Sequence, residues 1–379
     1  MRFLHTGDWH VGKGLAGRNR AEEHRAVLAE ITAIAAEHEV DLILVAGDLF
    51  DTSSPSPEAE DIVYEALLAL SKVAGVVVIS GNHDNERRLS AVAPLLDLAS
   101  VTVRPDIRTG AEPFIFETQS GERAQIALLP WLSQRHIVRA EHLMRKDADE
   151  LSGDFNQRMR RIIELLTAPF SDETVNIVLG HVTIAGSELG GGERTAQTIF
   201  DYYVDATAFP ATAHYVALGH IHKMQPMAGA CPIYYCGSPL QLDFSDKDDG
   251  KHVLVVEAHP GTPAEVTEIP LTAGRRLRTI EGTLDGLRTL AGSTGDDFLR
   301  VRLREPGRAG LNDEVRELFV DAVQVKVDPT PTDHDRPADR LERAGTSPVE
   351  LFTEYLADRD IDDDRLVKLF GELYEEASR

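Results

Sequence analysis

The chain has 379 residues, and its 63 acidic against 39 basic side chains leave a formal charge of −24. A surface this acidic repels phosphates on average, which excludes a broad electrostatic grip on nucleic acid and leaves contacts that are local, metal-mediated or assisted by a partner. Hydrophobic residues make up 42% and charged residues 27%. These proportions exclude a disordered or membrane-embedded chain and indicate a globular protein of about two or three domains.

The cysteines and the amino terminus indicate the compartment. Cys231 and Cys236 are the two cysteines, too few to staple a chain of this length, so a reducing environment is expected. The opening residues MRFLHTG resemble a strand rather than a basic leader with an apolar core. Apolar runs are strand-sized, whereas a membrane helix needs ~20 residues. We therefore expect a cytoplasmic protein with no membrane association.

Short apolar runs alternate with amphipathic stretches over the first two-thirds of the chain, which is typical of a layered α/β fold. Runs such as LILVA and VVVIS are apolar at successive residues, so we predict sheets covered on both faces. The predicted strands are 2–6, 41–46, 75–80, 125–129, 175–179 and 215–218, and the predicted helices are 21–38, 58–74 and 155–166.

The sequence changes character after Ile269. FLRVRLRE and AVQVKV read as strands and LNDEVRELFV as a helix, which predicts a small α/β unit over 270–328. Four prolines lie in the following stretch, 329–348, and predict a linker because proline interrupts helices. Apolar residues at helical spacing then predict two short amphipathic helices over 349–379.

Five apolar runs end with a glycine directly before a side chain that can bind a metal ion. They are LHTGDWH, LVAGDLFD, VISGNHD, IVLGH and VALGHIH. Glycine permits a sharp turn at a strand end, and sites of α/β folds gather at the carboxyl ends of strands. In GDWH and GHIH the candidates are two residues apart, so in extended backbone they point the same way. We expect these side chains to converge on one rim.

Seven candidate metal ligands follow: Asp8, His10, Asp48, Asn82, His181, His220 and His222. Any one of them alone is as well explained by a helix cap or a core histidine, but the joint pattern is not. Carboxylate, amide and imidazole donors without thiolates suit manganese, iron or zinc. Two ions about 3.5 to 4 Å apart, bridged by a carboxylate, would use all seven. Such a pair acidifies a water and holds a phosphoryl group for in-line attack.

The motifs GDWH, GDLFD, GNHD, GH and GHIH together resemble the calcineurin-like metallophosphoesterase superfamily. The longer stretches MRFLHTGDWHVGK, VAGDLFDTSSPSP, ALGHIHKMQ and YYCGSPLQLDF are similar to the nuclease components of bacterial DNA-repair complexes. The resemblance implies a four-layer α/β/β/α sandwich over 1–269 and a small α/β capping domain that binds DNA over 270–328. A linker over 329–348 and a helical segment over 349–379 that binds a partner ATPase would follow.

The resemblance also implies roles for individual residues. One ion would be held by Asp8, His10 and His222, the other by Asn82, His181 and His220, with Asp48 bridging. His83 would face the phosphate, stabilise charge or protonate the leaving oxygen. The carboxylate of Asp51 would orient and charge His83.

Several residues near these motifs stay open at this stage. Asp51 is equally well explained as a helix cap before SSPSPEAE, and Asp84 is ambiguous in the same way. Four arginines near the loops are either DNA contacts or ordinary basic surface; they are Arg18, Arg20, Arg87 and Arg88.

The implied activity is Mn²⁺-dependent hydrolysis of DNA in repair, recombination and replication, in the cytoplasm at the nucleoid. The enzyme would act as a 3′–5′ exonuclease on double-stranded ends and as an endonuclease on single strands and hairpins. Its implied partners are DNA, a second copy of the chain and a long coiled-coil ATPase, in a heterotetramer. Two alternatives remain: a phosphodiesterase of small nucleotides or other phosphodiesters, which needs no extra domain or apolar tail, and a non-catalytic scaffold, which needs no complete ligand set.

Overall fold

Two six-stranded sheets stacked face to face form the centre of the molecule. The computed structural model describes residues 1–107, 112–132, 155–191, 193, 203–246 and 250–327, and seven helical positions beyond residue 351. In spatial order, the first sheet contains β14 (Glu265–Leu271), β13 (Lys251–Glu257), β1 (Arg2–Thr6), β2 (Leu42–Val45), β3 (Gly75–Ile79) and β4 (Val101–Arg104). The second contains β11 (Gln225–Met227), β12 (Ile233–Tyr235), β10 (Tyr215–Gly219), β7 (Val175–His181), β6 (Arg123–Leu129) and β5 (Phe114–Glu117). The short strands β8 (Thr183–Ile184) and β9 (Tyr203–Val204) pair with each other, and a 3₁₀ turn at Ala206–Ala208 follows them.

Helices cover the outer faces of both sheets. They are α1 (Ala21–Glu37), α2 (Pro57–Ser71) and α3 (Glu86–Asp97) on the first sheet, and α4 (Phe155–Thr167) on the second. In β2, Leu42 and Leu44 face the second sheet, whereas Ile43 and Val45 pack against the helices. All four side chains are fully buried. This confirms both the sheets covered on two faces, predicted from the continuous apolar runs, and the four-layer α/β/β/α sandwich that the resemblance implies.

Each predicted strand and helix is present, with ends within three residues of the predicted bounds. Several further elements were not predicted. Helix α3 contains Pro94, which breaks the helical pattern in the sequence. Its start is marked by Asn85, whose side-chain oxygen accepts hydrogen bonds from the backbone N–H groups of Arg87 and Arg88. The edge strand β14 consists of half-buried and exposed residues and includes Pro270, which an edge position tolerates because its missing N–H leaves no bond to a neighbouring strand unmade.

A third sheet lies within the range predicted for the capping domain. Its parallel strands are β15 (Leu277–Gly282), β16 (Phe298–Leu303) and β17 (Ala322–Val327), with α5 (Leu284–Arg288) and α6 (Leu311–Leu318) against one face. The guanidinium of Arg275 lies 3.8 Å from the ring centroid of Phe298. The carboxylate of Glu30 in α1 accepts the N–H groups of Thr272 and Ala273. These contacts hold the segment between β14 and β15, which leads from the first sheet to the third.

The predicted linker, 329–348, lies outside the described residues, as does most of the predicted tail. The described tail positions, 352, 356, 365–367, 369 and 370, are helical. The rings of Phe352 and Phe370 stack with centroids 4.3 Å apart, so the two parts of the tail contact each other. Among the helices that the structure describes, none has both the length and the apolar character needed to span a membrane.

Candidate metal centre

The five glycine motifs meet where strands of the two sheets end side by side. The loops after β1, β2 and β3 lie against the loops after β7 and β10. One hydrogen bond illustrates the junction, since Nδ1 of His181 donates to the main-chain carbonyl of Ala46 at 2.7 Å. Six of the predicted ligands are buried and Asn82 is half-buried. The structure thus brings all seven predicted ligands together.

The backbone of these loops differs from the predicted one. Asp8, His10, Asp48 and His220 have φ angles of 49°, 47°, 50° and 97°, so the ligands themselves occupy the left-handed region. The expectation that paired ligands lie on extended backbone is therefore wrong for both residues of the GDWH pair and for His220 of the GHIH pair. Such angles strain non-glycine residues and are typical of functional sites.

Most glycines of the five motifs are needed because neighbouring loops approach them closely, not because the backbone makes a sharp turn there. Of the five, all within the described chain, only Gly47 has a positive φ. A Cβ atom on Gly81 would overlap Oδ1 of Asp48, and one on Gly219 would overlap the carbonyl oxygen of Ala46. These glycines let neighbouring loops come close enough for their ligands to converge.

Asn82, His181 and His220 form one group of potential ligands. Oδ1 of Asn82 lies 3.0 Å from Nε2 of His181 and 2.8 Å from Nδ1 of His220. Because the Ala46 carbonyl only accepts, Nδ1 of His181 carries a proton, which leaves Nε2, beside the Asn82 oxygen, as the nitrogen that could bind an ion. The donor set therefore fits a divalent metal ion.

Asp48 lies between this group and a second one. Its Oδ2 atom is 3.4 Å from Nε2 of His181 and 3.5 Å from Nε2 of His10. Nε2 of His10 is buried and has no hydrogen-bond partner among the described residues. The ring of His222 lies 4.7 Å from that of His10. The carboxylate of Asp8 accepts the N–H of His220 at 2.9 Å. This arrangement fits a second ion that shares Asp48 with the first.

Two buried carboxylates set the electrostatics of the centre. Burial raises the pKa of Asp8 to about 7, although His181 opposes the shift. Burial would raise the pKa of Asp48 too, but His181 and His10 hold the pKa of that carboxyl well below its usual range. Burial disfavours the charged form of His181, yet Asp48 and Asp8 raise its pKa to about 9. Burial and the neighbouring His181 lower the pKa of His220 to about 3. The carboxylates that attract a proton to His181 would equally favour a divalent cation.

His83 adjoins the centre, and its contact with Asp51 differs from the expected one. Nδ1 of His83 lies 2.7 Å from the main-chain carbonyl oxygen of Asp51, not from its carboxylate. The carboxylate lies 3.2 Å from Nζ of Lys13 and 3.7 Å from Nδ1 of His10. Burial would raise the pKa of Asp51, but His10 and Lys13 lower it to about 2. Asp51 thus holds His83 through its backbone.

Two residues left open by the sequence have structural roles here. The carboxylate of Asp84 accepts the backbone N–H groups of Gly81, Phe50 and Leu49 at 2.9, 3.1 and 3.3 Å, which ties the loop after β3 to the loop after β2. Arg20 is buried and donates to Glu23, so it is not a surface group for DNA.

Trp131 belongs to the centre and was not predicted. Its ring stacks on His220 with centroids 4.9 Å apart and an interplanar angle of 27°, and it meets His181 edge-on. Its backbone N–H donates to the carbonyl of Ser80. The available signal was its position directly after β6, in ALLPWL, since that strand ends at the same edge of the sheet.

Comparison with known proteins agrees with this geometry. The family model described as calcineurin-like phosphoesterase matches residues 1–224. The SbcD component of the SbcCD nuclease of Bacillus subtilis is 32% identical over 98% of this chain and 97% of its own length. The SbcD proteins of Rhodobacter capsulatus and Escherichia coli K12 are 34% and 29% identical, over 76% and 75% of this chain and 76% and 72% of their own lengths. The identification made from the motifs is confirmed: this chain belongs to the calcineurin-like phosphoesterase family of metal-dependent hydrolases, in which it groups with the SbcD proteins.

Proposed function

We propose that this chain is the nuclease component of an SbcCD-like complex and hydrolyses phosphodiester bonds of DNA with two divalent ions, Mn²⁺ in particular. The proposal includes 3′–5′ exonuclease action on double-stranded ends and endonuclease action on single strands and hairpins, in repair, recombination and replication, in the cytoplasm at the nucleoid. The observation that carries it is the position of Asp48, whose Oδ2 atom lies within 3.5 Å of imidazole nitrogens from two ligand groups. The relatives are named as nucleases, which supports a nucleic acid as the substrate.

The ligand histidines are held so that one nitrogen remains for a metal ion. One ion would be held by Asp8, His10 and His222 and the other by Asn82, His181 and His220, with Asp48 shared. Bound there, the two ions would acidify a water and neutralise charge on the phosphate. The carbonyls of Ala46 and Gly191 accept from Nδ1 of His181 and His222 at 2.7 and 3.2 Å, so Nε2 of each is the nitrogen left for an ion.

His83 is proposed as the general acid. The Asp51 carbonyl oxygen keeps a proton on Nδ1 of His83. Nε2 is then the nitrogen that exchanges a proton with the leaving oxygen. The backbone N–H of His83 donates to Oδ1 of Asp48 at 2.8 Å, which fixes the imidazole beside the shared carboxylate. A positioned acid of this kind contributes about two to four orders of magnitude to the rate.

The open face of the capping-domain sheet is proposed to contact DNA. Arg302 lies opposite Glu281 and Lys326 in the three-stranded sheet, and Arg300 is on the same face. The guanidinium of Arg300 lies 5.0 Å from the ring centroid of Phe244, so this basic face borders the catalytic sandwich. A local cluster of cations is what a chain with a charge of −24 needs for a phosphate backbone.

Two further surfaces are proposed for protein partners. Leu68 on α2 is 41% exposed, Leu95 on α3 is 69% exposed and Leu98 at its end is 86% exposed, and these leucines are proposed to contribute to the contact with a second copy of the chain. The tail, in which Leu366 and Leu369 are exposed, is proposed to bind an SbcC-like coiled-coil ATPase. A heterotetramer of two copies of each would result.

One assay tests the proposed function. Hairpin DNA, linear duplex DNA and a small chromogenic phosphodiester are offered to the full chain with Mn²⁺, with and without the ATPase and ATP. We expect hairpin cleavage and stepwise shortening of duplex, stimulated by the ATPase and ATP. Cleavage of the small diester alone would support a small-molecule phosphodiesterase, and no cleavage of any substrate would support a scaffold.

A further inference from the structure

The main chain around His222 is held from two sides by side chains that the mechanism above does not use. On one side is Glu193. Its Oε1 atom accepts the backbone N–H groups of Gly190 at 2.7 Å and His222 at 3.0 Å, and its Oε2 atom accepts that of Gly191 at 2.8 Å. A single carboxylate thus joins the loop before it to the metal-binding loop.

On the other side is Lys251, the first residue of β13. Its Nζ atom donates to the carbonyl of His222 at 3.3 Å and to Oγ of Ser238 at 3.0 Å, and it lies 3.6 Å from Oδ2 of Asp246. The side chain of Lys251 is 15% exposed and that of Asp246 is 1% exposed. Because its side chain is largely buried, Lys251 is ordered by its partners rather than free to rotate.

The glycines in these loops allow the close approach. A Cβ atom on Gly190 would lie 2.7 Å from the backbone nitrogen of Lys223, and one on Gly237 would lie 2.9 Å from the carbonyl oxygen of His222. Gly237 and Ser238 belong to YYCGSPLQLDF, a stretch that supplies none of the proposed ligands. Its glycine and serine instead lie against the main chain of the His222 loop.

We propose that Glu193 and Lys251 are positioning residues that aim the imidazole of His222 at one of the two metal ions. The inference rests on the proposed function, in which His222 is a ligand. Glu193 holds Gly191 in place, and the carbonyl of Gly191 is the acceptor that keeps Nδ1 of His222 protonated and Nε2 available. Lys251 fixes the carbonyl end of the same residue. Outer contacts of this kind set the orientation and basicity of a metal-binding histidine.

The test uses the full chain and measures Mn²⁺ binding by calorimetry. Glu193→Gln replaces one accepting oxygen with an amide, and Lys251→Met removes the cation on the opposite side, so each side of His222 is tested by its own variant. Lys251→Arg keeps the charge and the donors. The matched control is Glu188→Gln, because Glu188 is in the same loop but pairs with Lys223 at 2.6 Å and is 62% exposed. The unfolding temperature of each metal-free variant is measured alongside.

We expect wild type, Lys251→Arg and Glu188→Gln to bind two ions alike. Glu193→Gln and Lys251→Met should weaken one of the two binding events about 10- to 100-fold and leave the other unchanged. The proposal is overturned if both variants bind two ions with wild-type affinity and only their unfolding temperature falls, or if Glu188→Gln weakens binding to the same extent. If the wild type itself binds no pair of ions, the proposed function fails first and this inference fails with it.

Discussion

The main-chain carbonyl oxygen of Asp51 lies 2.7 Å from Nδ1 of His83, whereas the Asp51 carboxylate lies beside Lys13 and His10. The two ends of one residue therefore contact different parts of the centre. A side-chain substitution at Asp51 leaves the contact with His83 in place, because the carbonyl belongs to the backbone.

Substitutions at His83 and at Asp51 should therefore have different effects on turnover. His83→Gln removes the proposed acid but no proposed ligand, so turnover on hairpin DNA should fall by about 100-fold or more while Mn²⁺ binding stays normal. Asp51→Asn should reduce turnover by about 10-fold or less, through His10 and Lys13. Single-turnover rates and Mn²⁺ titrations measure both effects. Equal losses of turnover in the two variants would show that His83 depends on the carboxylate after all.

Gly81→Ala should disrupt the centre although it adds only one methyl group. The new Cβ atom would overlap Oδ1 of Asp48, and a displaced carboxylate of this kind costs about 100-fold in rate. Gly307→Ala is the matched control, because a Cβ atom there has no neighbour closer than 3.9 Å. Bound manganese and nuclease rate are compared for both variants. Full metal content in Gly81→Ala would mean that the loop after β3 shifts and leaves Asp48 in place.

The free energy of unfolding of the metal-free protein should fall as the pH falls from about 6.5 towards 4. Burial, aided by Arg20, lowers the pKa of His24 from 6.5 to about 4, and burial lowers that of His5 from 6.5 to about 3. At these two histidines the unfolded chain binds more protons than the folded one in this window, so acid favours unfolding by up to about 1.4 kcal/mol per pH unit for each. The raised pKa of Asp8 acts in the opposite direction and offsets part of the slope.

Denaturant titrations across that window measure the slope. His24→Leu should make it shallower than in wild type, whereas His259→Gln should not, since His259 is 58% exposed. An unchanged slope in His24→Leu would mean that the buried histidine is not the neutral group inferred here.

The sequence predicted which side chains come together because each proposed ligand follows a strand within one short motif. Asp8, Asp48 and His220 all stand directly after a glycine that ends an apolar run, and the parallel strands carry them to one edge. The local backbone was not predictable in the same way. The residues with left-handed φ are Asp and His, which adopt positive φ more often than most residues but only in a minority of cases, so residue type alone does not predict it.

The sequence did not predict the residues that contact the proposed ligands from outside the five glycine motifs. Trp131 stacks on His220, which lies far along the chain, and Glu193 and Lys251 approach His222 from separate segments. A single Trp, Glu or Lys has many structural uses, so only the folded arrangement identifies the partner. The contact between Asp51 and His83 was misjudged for a related reason, since spacing places a residue but does not say whether its backbone or its side chain makes the contact.

Removal of the tail should separate catalysis from assembly. A chain truncated after Gly345 loses the helical positions around Phe352 and Phe370, whose rings stack on each other. We expect it to fold, to bind Mn²⁺ and to cleave a small phosphodiester as the full chain does. Co-purification with the ATPase and ATP-stimulated degradation of duplex DNA should be lost. If the truncated chain retains the ATPase at full yield, another surface is the main tether.

The bridging position of Asp48 is the central claim, and a Mn²⁺ titration of wild type and Asp48→Ala tests it most directly. Because the Asp48 carboxylate lies within 3.5 Å of Nε2 of both His10 and His181, its removal takes a shared anionic ligand from both ions. We predict that calorimetry shows two binding events in wild type, that both are weakened in Asp48→Ala, and that DNA cleavage is abolished. Two ions bound to Asp48→Ala with wild-type affinity would contradict the account.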